Sequence, residues 1–210
     1  MAKAKLLRLV LLFGFAAAWV AAADLGAPQP FSADYSTTRT DGQKIIGKWY
    51  FSPPKIRIDI TSMSQKASGT PFGGSFAMII DGSTQTTYML LPQMHMYMQG
   101  QGNSSRMDPG IRNLTNLWNG SCPQGATCNK VGSEAVNGRN CDKYEVTNES
   151  GKKSTLWVDQ KVNFPIRMQQ DNGNVTEFTN IKEGAPDSDL FKVPPDYHAF
   201  NPGAFAGGKQ

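Results

Sequence analysis

What most restricts the fold of this chain is its punctuation: short runs of period-two alternation, each closed by a turn signal, recur along most of its length. "KIRIDI" alternates Ile56, Ile58 and Ile60 with Lys55, Arg57 and Asp59. Side chains along a strand point to opposite sides in turn, so this run predicts a strand with one face buried and one wet. "KIIGKWYF" precedes it across Ser52-Pro53-Pro54, a turn composition, and the two form a hairpin. "FAMIID" and "TQTTYMLL" flank Gly82-Ser83, and "MHMYMQ" follows Pro92, giving a meander of short strands. In the second half "KVGSEAV" and "CDKYEVT" enclose Asn137-Gly138, the pair that supplies the positive φ angles of a type I′ hairpin turn. "STLWVD", "FPIRMQQ", the turn Asp171-Asn172-Gly173 and "NVTEFTNI" complete the series. Roughly nine or ten strands at intervals of about eight to twelve residues, with short connections, make a large antiparallel sheet, a sandwich or a barrel.

Helix is scarce. In "DPGIRNLTNLW" Asp108 caps and Pro109 takes the first helical position, which sets Ile111, Leu114 and Leu117 on one stripe. Such a stripe must be buried, and the concave face of a curved sheet is the natural place for it. "SDLF" at 188–191 makes one further turn.

The first residues set the compartment. "MAKAKLLR", the apolar run "LVLLFGFAAAWVAAA" and the small residues Ala21-Ala22-Ala23 follow the order of a secretory signal peptide over residues 1–23. A single domain over 24–200 and a Gly-rich flexible tail at 201–210 are expected to follow. The leader carries three cations, Lys3, Lys5 and Arg8, and no acid, so its removal takes the chain from +4 to +1. A chain so near neutrality lacks the electrostatic footprint of a nucleic-acid binder.

Catalytic chemistry finds little support. His95 and His198 are the only histidines, and neither stands at a zinc spacing or beside a nucleophile motif. Gly73-Gly74-Ser75 lacks the G-x-S-x-G frame, and Asp187 and Asp189 suit caps of a short turn better than an acid/base pair. No enzyme activity, cofactor or His/Cys metal site is expected. Cys122, Cys128 and Cys141 allow one internal disulfide at most. Cys128–Cys141 across the hairpin and Cys122–Cys128 around a small loop are both open.

"LLPQMHMYMQ" places Met94, Met96 and Met98 at every second position, with His95 and Tyr97 between them. In a strand the three thioethers share one face. Thioethers suit Cu(I), but Met is also the adaptable filler of apolar walls, and alternation turns His95 away from the sulfurs. The wall is the preferred reading and Cu(I) handling the lesser one. With Ile56, Ile58, Ile60, Ile166 and Met168 from other strands, and Ile111, Leu114 and Leu117 from the helix, these methionines are expected to line a hydrophobic cavity. Trp49, Tyr50 and Trp157 are the aromatics through which a protein-interaction module could act.

"VGSEAVNGRNCDKYEV", "LWVDQKVNFPIRM" and "FTNIKEGAPDSDLFKVPPDY" resemble an exported bacterial family grouped with the outer-membrane lipoprotein-sorting proteins, the LolA/LolB-like superfamily. The likeness runs from about residue 131 to 197 and extends to "GKWYFSPPKIRIDI" and "TYMLLPQMHMYMQ". It implies a mostly β fold in which a curved antiparallel sheet forms an unclosed half-barrel, with one or two short helices in or over its concave face. It further implies a periplasmic, non-catalytic monomer whose cavity takes a hydrophobic or acylated ligand such as a lipoprotein, with transient contact to a membrane or membrane proteins. An envelope sensor on the same fold is the alternative. No arginine matches the one that gates the best-known carrier, since Arg57 falls on the wet face of its strand.

Overall fold

The computed structural model describes residues 26–63, 75–101, 122 and 125–200. The signal peptide, the helix at 108–118 with Ile111, Leu114 and Leu117, and the tail at 201–210 lie outside these residues. The strands are β1 (Phe31–Thr38), β2 (Lys44–Ser52), β3 (Lys55–Met63), β4 (Phe76–Asp81), β5 (Thr86–Leu91), β6 (Met96–Gln101), β7 (Thr127–Val136), β8 (Arg139–Thr147), β9 (Lys153–Asp159), β10 (Phe164–Gln169), β11 (Val175–Glu183) and β12 (His198–Ala199). All belong to one 12-stranded sheet of order β12-β6-β5-β4-β3-β2-β1-β11-β10-β9-β8-β7. Pairing is antiparallel except between β12 and β6, and the sheet does not close into a barrel. Of the three all-β architectures left open by strand spacing, the single curved sheet is the one formed.

Local turn chemistry builds two meanders. Asn137 and Gly138 take φ of 51° and 76°, and the hairpin they close pairs Val136 with Arg139. The strand that joins the meanders, β1, lacks a strong sequence signal because its "FSADYSTT" is rich in small polar residues. Its alternation is nevertheless regular, with Phe31, Ala33 and Tyr35 buried. It pairs with β2 on one side and with β11 on the other, so β2–β6 and β7–β11 become one sheet.

The sheet rolls strongly about this join. Trp49 on β2 and Phe164 on β10 are three ladders apart, about 14 Å across a flat sheet at roughly 4.8 Å per ladder. Their ring centroids nevertheless lie 5.8 Å apart. Phe31, Tyr35, Phe51 and Phe178 complete an aromatic cluster on the inner face, with neighbouring centroids between 5.1 and 6.5 Å. Tilted and edge-on pairs of this kind add about 0.5–1.5 kcal/mol each beyond the area they bury.

The outer face is finished separately. Over β3–β6 runs the C-terminal segment, with a 3-10 turn at Ser188–Phe191 capped by the Asp187 carboxylate, which accepts from the Asp189 N–H at 2.9 Å. Phe191 packs on Ala77, Ile79 and Leu90. Strand β4 is therefore buried on both faces, with Met78 inside and Ala77 and Ile79 outside. The expected wet face of β3 is roofed as well. Arg57, only 18% exposed, donates to the Leu190 carbonyl at 2.9 Å and to Asp59 at 2.7 Å.

At one end of the second meander a carboxylate is sealed in the fold. Asp159, 1% exposed, accepts from Arg139 Nε at 2.7 Å and Nη2 at 3.0 Å, and from the backbone N–H groups of Val162 and Lys161 at 2.8 and 2.9 Å. Arg139 also reaches Glu183 on β11 at 2.9 Å. A buried carboxylate is tolerated when charge and hydrogen-bond partners fill its acceptor sites, as here.

Candidate ligand-binding face

Register decides which side chains share the inner face. Across β2 to β6 the partners run Trp49, Ile58, Met78, Met89 and Met98. One level away Leu91 pairs with Met96. Met96 and Met98 therefore stand on the same side as Ile56, Ile58 and Ile60, as the alternation predicts. Ile166 and Met168 on β10 join the same core cluster.

Met94 does not. Pro92 opens a 3-10 turn, Pro92–Met94, and His95 leaves it in the left-handed conformation at φ 49°, so β6 begins only at Met96. Proline fixes its own φ and has no N–H to give to a ladder, which is why the strand cannot start earlier. Met94 is 37% exposed on that turn. His95 clamps the C-terminal segment: Nδ1 lies 2.9 Å from Asp196, the ring stacks on Tyr197 at 5.5 Å, and the carbonyl accepts from the His198 N–H at 2.9 Å. Tyr97 points outward and meets Tyr88 at 6.0 Å.

The inner face has two characters. Around β1, β2, β10 and β11 the aromatic cluster fills the concavity, and Phe31, Trp49 and Phe164 have no exposed surface. Toward β5 and β6 it becomes aliphatic and sulfur-rich, and Met89, Met96 and Met98 are only half-buried. Among the described residues no carboxylate or imidazole stands on this face of β3 to β6, and no group of three His, Cys, Asp or Glu side chains could hold a metal ion.

Polar hollows lie elsewhere. One of about 280 Å³ is lined by Arg139, Asp159 and Lys161 at the end of the second meander. Another, about 490 Å³, is bordered by Asp34, Lys48, Tyr50, Asn180 and Lys182 on the outer face. Hydrogen bonds from Asn180 and Lys48 hold the Asp34 carboxyl below its usual value. In both hollows the carboxylates already have protein partners.

Cys122 and Cys128 form the disulfide, and Cys141 is free and buried. The hairpin register explains the choice, since it sets Cys128 opposite Val146 and Cys141 opposite Glu134, at different levels of the ladder. Burial pushes the Cys141 thiol up to about 11, which removes it as a nucleophile near neutral pH. Trp49 and Trp157, expected as exposed recognition aromatics, are 0% and 6% exposed and belong to the core. Trp49 faces inward opposite Ile58; for Trp157, on the outer face, neither period-two alternation nor residue type distinguishes a covered face from a free one, so its burial has no sequence signal. Among the described residues no helix is long and apolar enough to cross a membrane.

These features define a single-sheet half-barrel with an apolar, partly lined inner face. The chain belongs to the family described as a domain of unknown function, DUF4412, whose model matches residues 34–163. No curated protein matches the sequence. Among solved structures, an uncharacterized conserved protein from Thermus thermophilus is similar with a TM-score of 0.52 and 9% identity, over 82% of this chain and 90% of that one. The LolA superfamily of the sequence resemblance is represented by NE2245 from Nitrosomonas europaea, with a TM-score of 0.35, 12% identity and coverage of 79% and 90%. The MucA/MucB complex structure from Pseudomonas aeruginosa also matches, with a TM-score of 0.47 and 15% identity, over 80% of this chain and 56% of that one.

Proposed function

We propose that this protein is an exported, non-catalytic binder of a hydrophobic or acylated ligand, held on the inner face between the aromatic cluster and the methionine wall of β4–β6. The observation that carries this reading is the convergence of Ile58, Met78, Met89 and Met98 on one side of a strongly curved, unclosed sheet, with Met89 and Met98 left half-buried. An acyl chain laid there gains about 25 cal/mol for each Å² it removes from water. Flexible thioether side chains let the wall adapt to its shape. The Cys122–Cys128 disulfide suits an oxidising compartment, in keeping with the signal peptide expected over residues 1–23.

Native mass spectrometry of protein purified under mild conditions tests the proposal. Copurified acyl species, displaced by a fluorescent fatty acid, are expected. Met89→Gln places an amide on a wall where the Thr87 hydroxyl is the one polar side chain beside it on β5, so a bound acyl chain desolvates the amide at a cost of about 1–3 kcal/mol, and the variant is expected to weaken the fatty acid about tenfold or more. A recurrent protein partner with no bound lipid, and no fatty-acid binding, would replace this reading by the protein-interaction module.

A further inference from the structure

The methionines of this protein are gathered by register across strands and not by spacing along one. Met78, Met89 and Met98 are direct cross-strand partners on β4, β5 and β6. Antiparallel partners lie about 4.5 or 5.5 Å apart at Cα, so the outer two backbones are only about 10 Å from one another. The inward curvature of the sheet narrows that span at the level of the side chains. Each methionine is unbranched with several rotatable bonds, so three sulfurs can converge above the central strand.

We propose that Met78, Met89 and Met98 form a trithioether site for a soft monovalent cation, Cu(I) or Ag(I), that goes beyond the amphiphile reading. The surroundings select for this charge type. Ile58, Ile80 and Leu91 flank the row on the inner face, and the only polar side chain beside it on β5 is the Thr87 hydroxyl. A hard divalent ion would find no carboxylate, imidazole or water-filled cage there, whereas soft thioethers bind Cu(I) without any anionic ligand. The oxidising compartment adds a second reason. Cys122 and Cys128 are consumed in a disulfide and Cys141 is buried with a raised thiol pKa, which leaves thioethers as the soft donors. Met94 and His95, adjacent in sequence, take no part, because they sit on the turn before β6.

The test is anaerobic competition between the intact protein and a Cu(I)-specific chelator, repeated with Ag(I), for the wild type and for Met→Leu variants. The wild type is expected to retain one equivalent. Met89→Leu is expected to lose at least about tenfold in affinity, since even partners outside the ligand set cost 10–100-fold when removed. Met94→Leu is expected to match the wild type. Metal retention is read by itself, in protein with no fatty acid added, so this result stands whether or not the amphiphile reading holds. Retention of Cu(I) by the Met78→Leu/Met89→Leu/Met98→Leu variant at the wild-type level, or no retention by the wild type, overturns the proposal.

Discussion

The two meanders solve the same problem on the outer face by different means. A single sheet whose inner face holds the core still has a second face to close. In β3–β6 that face carries Ala77, Ile79 and Leu90, and a segment from the far end of the chain is brought back to cover them through Phe191. In β7–β11 no such segment is used among the described residues. Trp157 on β9 lies between Lys143 on β8 and Arg167 on β10, its direct cross-strand partners, with cations 5.1 and 5.0 Å from the ring centre. Its indole N–H donates to Glu134 on β7, and Arg167 approaches Glu177 on β11 at 3.5 Å. Long side chains whose stems are apolar and whose tips are charged cover the sheet themselves. Apolar outward residues therefore require a strap, and amphipathic ones make it unnecessary.

The same contrast governs the sheet's ends. Beside β6 the segment adds β12 in parallel, with His198 opposite Met96 and Ala199 opposite Tyr97. Edge strand β7 carries Lys130 and a register shift between Lys130 and Gly132. Bulges and lysines are recognised means of discouraging edge-to-edge association.

The largest effect expected from breaking this comparison is at the charged end of the second meander. Asp159→Ala leaves Arg139 with the half-exposed Glu183 in place of its buried carboxylate, and two backbone N–H groups without an acceptor. Removal of one member of a buried pair costs about 3–5 kcal/mol, readable as a fall in the denaturant midpoint. Acid gives an independent reading of the same group. Burial alone would raise the Asp159 carboxyl, but bonds from Arg139, Val162 and Lys161 outweigh it and hold the carboxyl below its ordinary 3.8. A lowered folded value means stabilisation that is full above pH 3.8 and lost as pH falls through the folded value. Hydrogen exchange between about pH 5 and about pH 2.5 should show β8–β10 losing protection as acid is added, and Asp159→Asn should flatten that dependence.

Next comes the strap. Phe191→Ala removes its buried anchor at a site near the surface, with an expected loss of about 2 kcal/mol, below the range of a fully enclosed phenylalanine. Exchange should quicken in β4, β5 and β6 while β8–β10 stay as they were. Uniform loss of protection over both meanders would mean that the two outer finishes are not separable units. Trp157→Leu, the matching change in the second meander, keeps the apolar bulk but loses two cation–π contacts worth about 0.5–1 kcal/mol each. It should loosen β8–β10 and leave the strap in place.

Legibility in the sequence follows the same division between local and distant. The β2–β3 and β7–β8 hairpins are readable because Ser52-Pro53-Pro54 and Asn137-Gly138 declare their turns within a few residues. The inward set Ile56, Ile58, Ile60, Met96 and Met98 is readable because period two needs only the strand itself. β1 is hidden by its Ser, Thr and Ala content, and its union with β11 depends on partners over a hundred positions away. Met94 is misplaced when alternation is carried through Pro92 and His95, where the backbone turns. The roofing of Arg57 and the burial of Trp157 depend on what lies over each face, which no single strand encodes.

The smallest expected effect concerns Cys141. With its thiol raised to about 11, only about one molecule in a thousand would carry the thiolate at pH 8 even if solvent had access. Burial removes that access, so a thiol reagent should leave the native protein unlabelled for hours and label one site per chain once denaturant unfolds it. The two meanders then offer a direct comparison, because Cys141 lies on β8. Phe191→Ala, which loosens only the strapped half, should leave labelling near the wild-type rate, whereas Asp159→Ala, next to Cys141 across the β8–β9 ladder, should accelerate it strongly. Equal acceleration by both variants would show that the outer cover of one half holds the whole sheet together.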